Sequence, residues 1–296
     1  MRELREQSTI YKFGLASLGD VVATSPIVKY AIKNYHKNSD YRVIISKAFR
    51  ALIPFVPEEK MVNLGENTNE VIPNWPMRNM LFWPKQDSIT SNPWHYSHLS
   101  DVFSFHLLGH TLSNESSYYT PLEPVNISNF NLPSKFVIIV AEATDLLRSF
   151  TPRTIQEIVN FLNTTPYAPV LVGRKQMYPI NKAISIIGQT DIPQLASIMG
   201  KAACVIGMDT GAIHLAGTTP TNIISGFTTI DPRLRLVRRP KGQQIVIAPD
   251  CECRFCLTKS RRFPNTECEF GDILCRQELT SSKFIAPLSL LLSSMQ

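Results

Sequence analysis

The stretch Ala203-Cys-Val-Ile-Gly-Met-Asp-Thr-Gly-Ala-Ile-His-Leu-Ala216 joins the features of a strand, a turn and the start of a helix. The apolar run before Gly207 is typical of a buried strand, and this glycine is predicted to end it. Asp209-Thr-Gly211 predicts a turn with helix-capping residues, after which small apolar residues begin a helix. Backbone N–H groups and the helix dipole converge at such a place, so the stretch predicts an anion site that His214 can face. An ordinary strand-to-helix turn, with the aspartate as a cap and the histidine in the core, explains the same residues equally well.

The composition fits two domains of ordinary size, since the chain has 296 residues of which 44% are hydrophobic. The formal net charge of +6 favours anionic partners such as nucleotide diphosphates, lipid headgroups or nucleic acid, and it equally fits plain solubility charge. No apolar run reaches the roughly 18 residues that cross a bilayer, and the charged residues 1–8 lack the apolar core of a signal peptide. We therefore expect a cytoplasmic protein.

The first half of the chain predicts a βαβ unit with a glycine in its first turn. Ile10–Gly14 and Tyr41–Ser46 fit strands. Between them, Ser25-Pro26 is expected to open a helix over Ile27–Asn34. α/β folds usually place a ligand at such a turn, although the G-x-G-x-x-G pattern of a plain dinucleotide-binding fold is absent from the sequence. Residues 114–133, rich in Ser, Asn and Pro, predict the connection to a second domain.

The second half repeats the α/β pattern. Phe136–Val140 is a strong strand, and Thr151-Pro152 is expected to open a helix. Further strands and helices are expected over 169–172, 184–187, 192–199, 221–226 and 244–248. The alternation in both halves predicts two parallel-sheet domains, residues 1–125 and 126–280. The apolar, serine-rich residues 281–296 predict a C-terminal helix that packs back on the body, with peripheral contact to a membrane surface as the alternative.

Three separate motifs follow one another along the chain. The first is Ser17-Leu-Gly-Asp-Val-Val-Ala-Thr-Ser-Pro26, and the second is residues 143–152 followed by a strand that ends at Gly173. The third is Asp191-Ile-Pro-Gln-Leu-Ala-Ser-Ile-Met199, which leads into Gly207-Met-Asp-Thr-Gly-Ala-Ile-His-Leu-Ala216. Together they resemble glycosyltransferase family 9, the ADP-heptose:lipopolysaccharide heptosyltransferase family, over most of the chain. The resemblance implies the GT-B fold, in which two Rossmann-like domains face each other across a cleft that holds the active site.

The resemblance also implies roles for individual residues. Asp20 matches the family's catalytic aspartate, in an N-terminal domain that offers the acceptor and the base. The residues assigned to the donor are Ser17, Gly19, Arg148, Gly173, Asp209, Thr210, Gly211 and His214. Arg148 falls about where the family usually has a phosphate-binding lysine, and Phe150-Thr151 replaces the Trp-Pro that usually follows it. Arginine differs from lysine in reach and geometry, so the sugar of the donor stays open.

Glycosyl transfer needs a base for the acceptor hydroxyl and stabilisation of the departing diphosphate. Asp20 on its glycine-containing loop can be the base, and we expect partial burial to raise its pKa; the rival role for Asp20 is helix capping. The backbone N–H groups after Asp209, together with Thr210, His214 and Arg148, can compensate the leaving group's charge. Because they can, and because no acidic D-x-D pair is placed to hold a divalent metal, we expect an inverting, metal-independent transferase with no catalytic cofactor.

The cysteines predict a separate feature. Cys204 lies in an apolar strand and is expected in the core. The other five cluster within residues 251–275, and four of them have spacing compatible with a four-thiolate knuckle for a structural zinc or iron: Cys253, Cys256, Cys268 and Cys275. Disulfides are the alternative in an oxidising compartment. The most basic region of the chain surrounds this knuckle and includes Arg233, Arg235, Arg238, Arg239, Arg254, Lys259, Arg261 and Arg262.

Three functions remain open on these residues. The first is a glycosyltransferase that uses a nucleotide-diphosphate sugar such as ADP-heptose and acts on a bacterial glycan such as lipopolysaccharide core. The second keeps the enzyme but makes the acceptor a hydroxymethylated base in DNA, as in virus-encoded DNA modification. The third is a non-catalytic nucleic-acid binder with a cysteine knuckle. The presence of both Asp20 and the Asp209 turn speaks against the third.

Overall fold

The computed structural model describes residues 7–13, 17–65, 75–79, 97–141, 145–175, 178–256, 268 and 271–295. The chain divides into two units, residues 1–122 with 238–240, and residues 123–237 with 241–296. No helix in these ranges is long and apolar enough to span a membrane. The short segment 238–240, which we predicted in the second domain, belongs to the first unit. Both guanidinium nitrogens of Arg238 donate to Asp101, at 2.8 and 2.6 Å, and one of them also donates to Ser117 at 2.9 Å.

The first unit contains a parallel sheet. Its strands are β1 (Thr9–Lys12), β2 (Tyr41–Ile45), β3 (Met61–Asn63) and β4 (Met77–Asn79). They pair in the order β3-β2-β1-β4 within the described residues. Helices α1 (Leu18–Tyr35) and α2 (Leu99–Leu108) accompany the sheet. Short 3-10 turns cover Lys47–Leu52, Glu58–Lys60 and Glu115–Ser117.

Helix α1 begins nine residues before the predicted start at Ile27, because a capping box at its N-terminus starts the helix and Pro26 does not interrupt it. A proline inside a helix leaves the carbonyl four residues earlier without its N–H partner, here that of Val22. The Ser25 hydroxyl donates to this carbonyl at 3.2 Å and replaces the missing bond. The expectation that Ser25-Pro26 opens the helix is therefore wrong.

The second unit contains a larger parallel sheet. Its strands are β5 (Phe136–Val140), β6 (Ala168–Val172), β7 (Ile184–Ser185), β8 (Cys204–Met208), β9 (Asn222–Gly226) and β10 (Gln244–Ile247). They pair in the order β10-β9-β8-β5-β6-β7 in the described part of the unit. The helices are α3 (Pro152–Leu162), α4 (Ile192–Lys201), α5 (Gly211–Ala216), α6 (Leu274–Gln277) and α7 (Ser281–Ser293). Short 3-10 turns cover Ser128–Phe130, Leu146–Arg148 and Pro232–Leu234.

The C-terminal helix α7 is part of the core of the second unit. Phe284 and Leu288 are fully buried in one apolar cluster with residues of β5, β8 and α3. The ring of Phe284 meets that of Phe150 edge to face, with centroids 4.9 Å apart. Phe150 is itself buried, so its side chain packs in the core of the second unit.

Gly207 lies inside β8 and does not end it, contrary to expectation. A Cβ atom at this position would come within 2.8 Å of Cδ1 of Ile213 and 3.0 Å of Cβ of Val140. The glycine therefore allows α5 and β5 to approach β8 closely. This packing holds the turn after β8 against the sheet.

Candidate active site

The predicted donor residues of the second unit follow neighbouring strands. β8 pairs with β5 on one side and with β9 on the other, all in parallel. Parallel strands place their carboxyl ends at one edge of the sheet, where α/β folds bind ligands. Asp209 directly follows β8, and Arg148 lies in the connection after β5. The topology thus brings together two residues that are 61 positions apart in the chain.

The Asp209 carboxylate is buried between two basic side chains. The residue is 4% exposed, and its N–H donates to the carbonyl of Gly226 at 2.9 Å. Its Oδ2 lies 3.7 Å from Nη1 of Arg148, and its Oδ1 lies 3.8 Å from Nε2 of His214. Burial opposes the charged form, but His214 and Arg148 together hold the pKa of Asp209 below its ordinary value. The carboxylate therefore stays ionised at neutral pH.

Asp209 is not a helix cap. The N-cap residue of α5 is Thr210, and its side chain makes no capping hydrogen bond. A carboxylate repels an anion, so Asp209 is not a direct anion ligand; its contacts with Arg148 and His214 can orient these side chains. His214, expected to face the anion, is only 5% exposed, and its Nε2 faces the Asp209 carboxylate.

Arg148 is the exposed member of this group. Its side chain is 28% exposed, whereas that of Asp209 is 6% exposed. Nε lies 3.4 Å from Oδ2 of Asp145, and Nη1 donates to the backbone carbonyl of Asp209 at 3.3 Å. Asp145 is itself buried and accepts the N–H of Leu147 at 2.9 Å through its other oxygen. A guanidinium carries five N–H donors, so the contacts of Nε and Nη1 leave further donors for a phosphate.

The start of α5 supplies further donors. The hydroxyl oxygen of Thr210 is buried and has no hydrogen-bond partner among the described residues. The N–H groups of Gly211 and Ala212 also have no acceptor in the described part of the chain, as expected for the first turn of a helix. These groups follow β8 at the same edge of the sheet as Arg148.

Gly173, also assigned to the donor, makes no hydrogen bond with Arg148 or Asp209 among the described residues. It follows β6, which is separated from β8 by β5 in the sheet. Its carbonyl accepts the N–H of Gly188 at 2.8 Å. Its role at a donor stays a prediction. Residues 143 and 144 of the second motif lie outside the described residues.

Asp20 lies in the first unit, in the first turn of α1. It forms a capping box with Ser17: its Oδ2 accepts the Ser17 backbone N–H at 3.1 Å and the Ser17 hydroxyl at 2.8 Å. Helix capping, the rival role, is therefore present. Among the described residues nothing donates to Oδ1, and the residue is half-buried, so one oxygen remains for a proton. Gly19 is buried beside it. The roles of Ser17 and Gly19 at a donor, and of Asp20 as a base, stay predictions.

The cysteines lie in the second unit, and all six are free of disulfide bonds. Cys204 is fully buried in β8, as expected. The Sγ atoms of Cys251 and Cys253 are 3.5 Å apart, so the cysteine that the predicted quartet leaves out contacts one of its members. Burial, reinforced by the other thiols of the cluster, raises the pKa of Cys275 to about 12. No three His, Cys, Asp or Glu side chains in the described ranges have the geometry of a metal site, and residues 257–267 lie outside those ranges.

Some arginines of the predicted basic region are paired with carboxylates. Arg238 belongs to the first unit, where it is paired with Asp101. Arg233 forms an ion pair with Asp231 at 2.6 Å. Three further predicted members, Lys259, Arg261 and Arg262, lie outside the described residues.

Sequence reasoning missed Asp145 as part of the site. It sits directly after the undescribed residues 142–144 and contacts Nε of Arg148, whereas Asp209 contacts Nη1. The only local signal was an aspartate three residues before Arg148, a spacing that also fits the N-cap of the short turn it begins.

A family model and several solved structures are similar to this chain. The model of glycosyltransferase family 9 (heptosyltransferase) matches residues 172–266. The bacterial iron-containing dodecameric glycosyltransferase TibC from enterotoxigenic E. coli H10407 superposes with a TM-score of 0.80, at 13% identity, over 99% of this chain and 78% of its own. A family 9 glycosyl transferase from Veillonella parvula DSM 2008 gives 0.68 at 14% identity over 99% of both chains. E. coli ADP-heptose lps heptosyltransferase II gives 0.67 at 11% identity over 97% of this chain and 99% of its own.

A search of curated protein sequences finds no match. The structural likeness, at these low identities, establishes the fold, which is the GT-B fold of the heptosyltransferases. The family match covers the segment that contains β8, the Asp209 turn, α5 and the first cysteines. The predicted resemblance is confirmed: residues 172–266 match glycosyltransferase family 9, and this family match supports a glycosyltransferase.

Proposed function

We propose that this chain is an inverting, metal-independent glycosyltransferase that moves a sugar from a nucleoside-diphosphate donor of the ADP-heptose kind to a hydroxyl of a bacterial glycan such as lipopolysaccharide core. The observation that carries the proposal is the partly exposed Arg148, held from two sides by the buried Asp145 and Asp209 at the carboxyl edge of the sheet. A structural neighbour, TibC, has been solved in complex with ADP-D-beta-D-heptose, which supports a donor of this class.

The donor half of the reaction needs positive charge where the diphosphate leaves. Arg148 supplies a fixed cation, and the N–H groups of Gly211 and Ala212 with the Thr210 hydroxyl supply neutral donors nearby. Such preorganised donors stabilise charge that develops in the transition state. Because Asp209 and Asp145 fix the guanidinium before the donor binds, little reorganisation is needed when the bond breaks.

The acceptor half needs a base. In the proposed reaction Asp20 takes the proton of the acceptor hydroxyl on Oδ1, and the hydroxyl oxygen attacks the anomeric carbon from the side opposite the diphosphate. The bond between that carbon and the diphosphate oxygen breaks, and the configuration inverts. The capping box fixes Asp20 through its other oxygen, which gives the base a set orientation.

The cysteine cluster is proposed to hold one structural zinc or iron on Cys253, Cys256, Cys268 and Cys275. Thiolates are the ligands that bind these metals in closed structural sites, and TibC is described as iron-containing. No disulfide bond joins the five clustered cysteines in the described part of the chain, so thiolate sulfurs are present as a chemically suitable donor set. Elemental analysis of the purified chain should find about one iron or zinc per molecule. Folded protein without metal would contradict this assignment.

The proposed activity is tested in two steps. Thermal unfolding of the whole chain is first measured with a panel of nucleoside diphosphates and their sugars, and ADP with ADP-heptose should raise the melting temperature most. The selected donor is then offered with lipopolysaccharide core and with hydroxymethylated DNA in parallel, and sugar transfer is followed by mass spectrometry. Transfer to the glycan supports the proposal, whereas transfer to DNA moves the acceptor to the second class. Absence of binding to every nucleotide would overturn the assignment.

A further inference from the structure

Two residues outside the donor site hold the backbone of the turn that carries Arg148, residues 145–150, here named the Arg148 turn. The first is Arg276, next to Cys275 in α6. Its Nε donates to the carbonyl of Ser149 at 2.9 Å, and its Nη2 donates to the carbonyl of Phe150 at 2.8 Å. The planar guanidinium therefore fixes two successive carbonyls just after Arg148.

The second residue is Thr228, which follows β9 and is 1% exposed. Its hydroxyl donates to the carbonyl of Leu147 at 2.7 Å, just before Arg148. Its own carbonyl accepts the N–H of Phe255 at 2.7 Å. Phe255 lies among the cysteines and has a φ of 61°, a conformation that a bulky side chain rarely adopts. The hydrogen bond to Thr228 thus ties a strained part of the cysteine region to the Arg148 turn.

The carbonyls on both sides of Arg148 are consequently held by side chains from two other segments. The turn itself contributes the bond from the Arg148 N–H to the Asp145 carbonyl at 3.1 Å. Because a 3-10 turn of this length has poor hydrogen-bond geometry of its own, its conformation depends on such external bonds.

We propose that Arg276 and Thr228 are positioning residues for the donor: they hold the Arg148 turn so that the guanidinium is set for a diphosphate before the donor arrives. This inference rests on the proposed function. A side chain fixed in advance loses less freedom on binding, so the two residues add to donor affinity without touching the donor. The same bonds connect the cysteine region to the donor site.

A double-mutant cycle tests this mechanism with ADP as the probe, on the whole chain. We expect Arg276→Met to weaken ADP binding about tenfold, the size of a lost hydrogen-bonded support. In an Arg148→Met background the same change should weaken binding no further, because it acts through Arg148. Equal weakening in both backgrounds, or none in either, would overturn the inference.

A second pair of variants, with smaller changes, tests the inference even if Arg276→Met folds poorly. Thr228→Val removes one hydroxyl at constant shape and should weaken ADP binding several-fold, about the effect of one neutral hydrogen bond. The matched control is Thr221→Val, since the Thr221 hydroxyl is also buried and donates to a carbonyl, that of Ala202, at 2.9 Å at the opposite end of β9. The control should leave ADP affinity unchanged. Equal affinities for the two variants would argue against positioning by Thr228.

The results also separate this inference from the proposed function. If the wild-type chain binds no nucleoside diphosphate, both are wrong. If the wild-type chain binds ADP and Arg148→Met weakens the complex, the donor site is supported. Normal ADP affinity in both Arg276→Met and Thr228→Val would then contradict only the positioning role.

Discussion

The N-terminal turn of α1 and the turn after β8 each carry an aspartate next to a helix start, and the two aspartates are held in different ways. Asp20 is half-buried, and its partner Ser17 is three residues away. Asp209 is 4% exposed, and its partner Arg148 is 61 residues away. A proton acceptor must be reachable, while a positioning carboxylate must be shielded from water. The difference in burial therefore assigns the two acids to different tasks in the proposed reaction.

The comparison also shows what each arrangement contributes energetically. A half-exposed capping box stabilises its helix by about 1 kcal/mol. The buried Asp209 carboxylate contributes more, because its removal takes a shared partner from Arg148 and His214, although Asp145 still contacts Arg148. Changes at Asp20 should therefore be seen mainly in catalysis, and changes at Asp209 in both stability and donor binding.

The largest expected effect is on transfer in the Asp20→Asn variant. The amide can still accept from Ser17 but cannot take a proton, so the transfer rate should fall about a thousandfold while ADP affinity stays the same. Rates are measured with saturating donor, and ADP affinity by calorimetry. The control is Asp191→Ala, which breaks a similar capping box at the start of α4 and should leave transfer intact. Near-normal turnover in Asp20→Asn would show that Asp20 only caps α1.

The next effect is on stability and donor binding in Asp209→Ala. We expect the free energy of unfolding to fall by about 2 kcal/mol, because Arg148 and His214 lose a shared buried partner while Asp145 still contacts Arg148. ADP affinity should fall as well, and His214→Ala should weaken it in the same direction. Urea denaturation measures the first quantity. Asp250→Ala, which removes an exposed ion pair with Lys283, is the control and should leave stability nearly unchanged. Similar stabilities for the two variants would contradict the buried role of Asp209.

A smaller effect is expected in Arg148→Met, where ADP affinity should fall about tenfold to a hundredfold, the range for a charge-assisted hydrogen bond. Arg148→Lys should recover part of the loss, because it restores the charge but not the geometry. Arg153→Met, an exposed arginine of α3 with an 88% exposed side chain, serves as the control. If the Arg148 and Arg153 variants bind ADP equally, the donor phosphate lies elsewhere.

The smallest effect is on the pH dependence of stability. The pKa of Asp209 is lowered in the folded chain, so its stabilising contribution is present above the ordinary value of 3.8 and is lost as the pH falls through the folded value. The free energy of unfolding should therefore decrease on acidification below about pH 4 more steeply in the wild type than in Asp209→Asn. Urea midpoints across this range provide the measurement. Parallel curves would show that Asp209 does not titrate as proposed.

Much of the fold was predictable because its signals are local. The strand Phe136–Val140 and the Thr151 cap of α3 coincide with their predictions, since each depends on neighbouring residues. The two errors at α1 and β8 have a common origin. Pro26 and Gly207 normally interrupt regular structure, but the Ser25 hydroxyl and the close approach of α5 and β5 make them compatible with it. Neither contact can be inferred from residue type alone.

The candidate site divides in the same way. The order of the motifs, which include Asp20, Arg148 and Asp209, predicts a glycosyltransferase from the sequence by itself, because it resembles the motif order of a known family. The supporting residues Asp145, Thr228 and Arg276 emerged only from the tertiary structure. The sequence could not predict these contacts because they join segments that are distant in the chain. Parallel pairing of β5, β8 and β9 brings such segments to one edge of the sheet, where the Asp209 carboxylate is buried and contacts Arg148.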